Sequence, residues 1–175
     1  ISAALVGMWP AFGDALARGD IAWARGALKN ALSVSFLAMS IICIGLAISM
    51  GWIARLWLGT TTAPPLLLTS LLSLWAMIEA LGMVLGTFLN AAGILRVQAA
   101  LAITMALAAF AGKWVLVANI GVEGGVLATI VAYCVISVPA QIFLVHRFFR
   151  DAARTTRKPA GPGLDIQPLL GAKES

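Results

Sequence analysis

Two ionisable side chains lie in stretches that are otherwise free of charge. Between Pro65 and Asn90, 26 residues hold one ionisable group, Glu79, and between Val97 and Asn119, 23 residues hold only Lys113. Each run is long enough to cross a bilayer, since ~20 helical residues at ~1.5 Å rise cover a hydrocarbon core of ~30 Å. A charge at that depth costs at least ~2.5 kcal/mol on insertion scales, so each is a candidate for function. Ala91–Arg96 between them leaves room only for a tight turn, and the sequence therefore predicts an antiparallel transmembrane hairpin carrying one acid and one base. Measured from that turn, Glu79 lies about 16 Å above Asn90 and Lys113 about 24 Å above Val97. If the two helices face each other, the side chains can span the remaining difference of about 8 Å. Glu79 either lines a polar cavity or is protonated in a buried hydrogen bond. Lys113 either joins it or snorkels outward beside Trp114.

Little else in the chain can do chemistry. His146 has no second ligand or acid near it in sequence, no glycine-rich phosphate loop follows a strand, and no paired carboxylates or metal-ligand spacings occur. The expectation is a protein that is not an enzyme and has no metal or cofactor. Cys43 and Cys134 fall in apolar spans without disulfide or zinc spacing and read as small packing residues. Asn90 and Arg96 read as residues that cap and position the turn, with contact to an anionic lipid headgroup as the alternative.

The elements around the hairpin follow from composition and pattern. Of the 175 residues 61% are apolar and 11% charged, with a mean hydropathy of +0.98, which indicates an all-α integral membrane protein. Nucleic acid is not expected as a partner, because the formal charge of +5 reads as a topology signal. The chain opens on an apolar run ending at Trp9-Pro10, without a signal-peptide pattern, and reads as starting partway through a helix. Asp14 and Arg18 support a short surface helix that Gly19 breaks, and Asp20 is placed to cap an amphipathic helix from Ile21 to Lys29 at the headgroup level. Four complete spans follow, at about 30–52, 65–90, 97–119 and 124–146. Trp52, Arg55 and Trp57 form an interfacial belt, and Gly82 and Gly86 have the spacing of close helix contact. Ala102, Ala106 and Ala109 suggest a packed face on the third span. Gly121, Gly124 and Gly125 are expected in a turn, Pro139 should kink the fourth span, and residues 151–175 read as a disordered tail.

Orientation comes from charge. The 13–29 interval, the 91–96 turn and the C-terminal tail fall on one side and carry ten of the twelve basic residues, which places that side in the cytoplasm.

Trp9-Pro10, Gly19-Asp20, the basic lead-in, Leu56-Trp57-Leu58-Gly59, Leu89-Asn90-Ala91-Ala92-Gly93 and the Gly121–Gly125 turn recur in a recognisable order. Over residues 1–150 the chain resembles the C-terminal part of a polysaccharide or O-antigen flippase of the multidrug/oligosaccharidyl-lipid/polysaccharide exporter superfamily. The resemblance implies two six-helix bundles around a central cavity in a bacterial inner membrane, of which these spans would be the last four helices. It implies alternating access for a polyprenyl-diphosphate-linked oligosaccharide in cell-surface polysaccharide or lipopolysaccharide synthesis, with membrane lipids and the N-terminal helices of the same protein as partners. The resemblance implies that a basic cavity residue would meet the diphosphate and an acidic one could couple to a proton or sodium ion, which directs interest to Lys113 and Glu79. A cation-coupled drug exporter or peptidoglycan-precursor flippase of the same superfamily, or a non-transporting membrane scaffold, is the alternative.

Overall fold

A computed structural model describes residues 2–59 and 65–155, and every element among them is helical. The helices are α1 (Ser2–Ala17), α2 (Ile21–Leu58), α3 (Leu66–Ala91), α4 (Leu95–Ile120), α5 (Val122–Ala132) and α6 (Val138–Thr155), with a π-helical turn at Tyr133–Ser137 joining the last two. Four helical stretches are long and apolar enough to cross a membrane: Ile21–Leu56, Leu66–Ala91, Leu95–Ile120 and Val122–Arg154. The protein is an all-α, multi-pass membrane protein.

Local chemistry sets most of the boundaries. α1 runs through Pro10 rather than stopping there, and ends where Gly19 takes φ 71° and its N–H donates to the Leu16 carbonyl. Asp20 caps α2 by accepting from the Trp23 amide at 3.0 Å, as its position before Ile21 suggests. The expected division between an interfacial helix and a span at Asn30 is absent. α2 is one helix of 38 residues, about 57 Å long, because no proline or pair of helix breakers interrupts it. It therefore extends well beyond the hydrocarbon core at its N-terminal end.

The hairpin is where the structure departs most from expectation. α3 is the central helix and packs against α1, α2, α5 and α6, while α4 packs chiefly on α5 and touches α3 little. The reason lies in small residues. A Cβ at Gly124 would overlap the Leu116 carbonyl, and one at Gly112 would sit 3.3 Å from the Ala128 Cβ, so α4 and α5 approach almost backbone to backbone. On α4 Ala109 is buried, whereas Ala102 and Ala106 are exposed. Of the expected turn glycines only Gly121 has positive φ (78°), and with ψ −150° it alone reverses the chain between α4 and α5. Gly124 and Gly125 serve packing inside α5.

The largest apolar core lies at one end of the bundle. Phe12 of α1, Ala24, Leu28 and Ala31 of α2, Val84 and Phe88 of α3 and Phe148 of α6 are buried together. Phe88 meets Phe12 and Phe148 edge-on at 5.5 Å and stacks on Phe149 at 5.2 Å. Such ring pairs contribute roughly 0.5–1.5 kcal/mol each beyond burial. This is also the end that carries Arg18, Arg25, Lys29 and Arg147, where water reaches and the hydrophobic effect operates. α6 continues to Thr155, so residues 151–155 of the expected tail are helical, and the rest of that tail lies outside the described residues.

Candidate functional site

The fourth span carries the site. Pro139 has no N–H to give the Val135 carbonyl, and the helix accommodates this by widening rather than by a simple kink, with the Val138 amide donating to the Tyr133 carbonyl five residues back. The π turn directs Tyr133, the one tyrosine of the sequence, towards α3. There its ring meets Trp75 edge-on at 5.4 Å, and its hydroxyl fills the notch at Gly82, where a Cβ would overlap it. The Gln141 side chain and Glu79, one turn before Gly82, both lie within electrostatic reach of the same hydroxyl. Gln141 Oε1 is buried and has no hydrogen-bond partner among the described residues. Ser137, also buried, completes the polar character of this segment. Glu79 is 13 residues from Leu66 and 12 from Ala91, so the cluster sits about 18–20 Å along α3, at mid-membrane depth.

Glu79 itself is exposed, and among the described residues it has no ion-pair partner. Lys113 is exposed too, on α4 beside Trp114, which is 72% exposed and edge-on to Phe110. The structure does not bring Glu79 and Lys113 together, because α5 takes the place against α4 that a facing hairpin would give to α3.

Of the turn residues, Asn90 is hydrogen-bonded both within the turn and to α4. Its Oδ1 accepts from Gln98 Nε2 at 2.8 Å and its backbone carbonyl accepts from Gly93, which takes φ 76°. Arg96 is exposed in the first turn of α4. Gly86 faces the Gln98 Oε1 across this corner, so both glycines of the Gly82/Gly86 pair mark contacts, but with different partners. Cys43 packs with its Sγ 3.5 Å from the Ser73 carbonyl, whereas Cys134 is exposed and is not a packing residue. His146 is exposed at the basic end. Among the described residues no group of histidine, cysteine and carboxylate side chains could hold a metal ion.

Tyr133 and Gln141 are the residues that a search for charged groups overlooks. The signal was present: a single tyrosine and a glutamine two residues after a proline, eight apart in one apolar span. No protein-family model, curated protein or solved structure matches the chain.

Proposed function

We propose that the chain is the C-terminal bundle of a transporter that flips a lipid-linked oligosaccharide across a bacterial inner membrane by alternating access. The observation that carries this reading is Glu79, an unpaired carboxyl exposed at mid-membrane depth beside Tyr133 and Gln141. Intramembrane ionisable groups face a bundle interior or a water-filled cavity, since facing lipid costs at least ~2.5 kcal/mol. The face bearing Glu79 is therefore the side of the passage, completed by further helices of the same protein. The π turn supports the reading as a place where α5 and α6 can move against each other, π turns being frequent at functional positions. The order of turns and spans from Trp9-Pro10 to the Gly121–Gly125 turn supplies the substrate class. The excess of basic residues at one end supplies a cytoplasmic location for the α3–α4 turn and the C-terminus.

The test uses the full-length protein in a strain that lacks its own polysaccharide flippase. Wild type, Glu79→Gln and Lys113→Met are compared for surface polymer at matched membrane abundance. Rescue by wild type and by Lys113→Met, with loss in Glu79→Gln, is the expected result. Absence of rescue by wild type overturns the substrate assignment and favours a drug exporter or precursor flippase of the same superfamily. A non-transporting scaffold is the second reading, favoured by the outward Lys113 beside Trp114, and full activity of Glu79→Gln would strengthen it.

A further inference from the structure

The contact between Arg25 and Phe149 fixes something that counting charges does not: the relative depth of the basic residues. The Arg25 guanidinium carbon lies 5.8 Å from the centre of the Phe149 ring. Phe149 in turn stacks on Phe88 of α3, two residues before Asn90. The start of α2, the end of α3 and the end of α6 are thus level. On α2, Lys29 is the last charge before an uncharged run to Ala54, and Arg25 lies one turn further out, about 6 Å. On α6, Arg147 is the first charge after the apolar run, and Arg150 and Arg154 lie about 5 and 10 Å further along. Both helices therefore pass from hydrocarbon to charge at the same height, over roughly the thickness of a headgroup layer.

The side chains at this level are of the kind a headgroup layer holds. Arg25, Lys29, Arg150 and Arg154 are exposed, as is Trp23. Among the described residues this end has seven lysines and arginines against three aspartates, a net of four positive charges. Two of the aspartates have local duties: Asp20 caps α2, and Asp151 forms ion pairs with Arg147 at 3.6 Å and Arg150 at 3.8 Å. The aromatic core beneath holds α1, α2, α3 and α6 together, so the charges are mounted on a fixed frame. Arg25 is further restrained by lying over Phe149, which lowers the entropy lost when its guanidinium binds a phosphate.

We propose that this end is a binding surface for anionic phospholipids, with the α2 pair Arg25 and Lys29 and the α6 pair Arg150 and Arg154 contacting phosphodiester headgroups of one leaflet. The ligand is the lipid rather than free phosphate, because the basic groups are level with one another and flanked by Trp23, whose ring suits the boundary between hydrocarbon and headgroups. This surface is independent of the transport reading and stands whether or not Glu79 lines a passage.

The test measures lipid binding to the full-length protein in nanodiscs of phosphatidylcholine containing graded phosphatidylglycerol. Wild type is expected to enrich phosphatidylglycerol in its bound shell at low salt and to lose most of the enrichment in 0.5 M salt. Each removed charge should weaken phosphatidylglycerol binding about fivefold, so Arg25→Gln/Lys29→Gln and Arg150→Gln/Arg154→Gln each weaken it by more than tenfold. The α6 pair keeps the Arg25–Phe149 contact and so separates charge loss from any loss of packing. Arg55→Gln, at the opposite end, should change binding by less than twofold. Millimolar inorganic phosphate should not displace the lipid; displacement would identify a free-anion site and overturn the assignment. Equal phosphatidylglycerol binding by wild type and both double variants, or no enrichment by wild type, would also overturn it.

Discussion

At the scale of single residues, glycines decide how near the helices come. Gly82 accepts the Tyr133 hydroxyl and Gly124 accepts the Leu116 backbone, and the two should respond differently to an added methyl. Gly82→Ala meets the end of a side chain, so it should lower stability by about 1–3 kcal/mol, the usual cost of overpacking. Part of that loss should return in Gly82→Ala/Tyr133→Phe, where the oxygen that the Cβ meets is gone. Gly124→Ala meets a carbonyl that cannot move aside, and it should cost more than Gly82→Ala with no rescue from any side-chain change. Thermal unfolding of the purified protein in detergent checks all three, and equal losses for the two glycines would refute the distinction. The sequence showed the Gly82/Gly86 spacing but not the occupant of the notch, since Tyr133 lies some fifty residues away.

Among the elements, the π turn matters most because it contains more residues than an α turn covering the same rise. It lets Tyr133 face Gly82 while Phe148 faces Phe88, two contacts that an unbroken α-helix would set at a different rotation. Deleting exposed Val135 inside the turn should convert it to α-helix and keep both contacts, lowering thermal stability by only a few degrees. Deleting exposed Val131 in α5 should instead rotate the remainder of the span by about 100°, a single helical step, and prevent accumulation of folded protein. Folded yield in membranes, followed by a melting curve, compares the two; a better tolerated Val131 deletion would count against the register argument. Pro139 made an irregularity legible in the sequence, but not its form. A proline can be met by a kink or by a widened turn, and the choice depends on the contacts that α3 offers to either side.

For the molecule as a whole, the α3–α4 turn and the α4–α5 turn should lie on opposite sides of the membrane. With Cys43 and Cys134 replaced by serine, Leu95→Cys and Val122→Cys present exposed positions at the two turns. A membrane-impermeant thiol reagent applied to intact cells should label Val122→Cys and reach Leu95→Cys only after lysis. The reverse pattern would invert the orientation drawn from charge. The sequence by itself determined that the chain is helical and membrane-spanning, that it holds four apolar spans and which end is basic, because these depend on apolar length and charge, properties each segment carries alone. It also marked Asp20 as a cap and Glu79 as the one ionisable group of its span. Which helices touch was decided only by the tertiary structure. All four spans are apolar on most faces, so hydropathy does not distinguish their neighbours, and the pairing follows from shape: Gly124 against Leu116 sets α5 beside α4, and Gly82 receiving Tyr133 sets the π turn on α3. That packing separates Lys113 from Glu79 and gives Glu79 its polar companions, Tyr133 and Gln141.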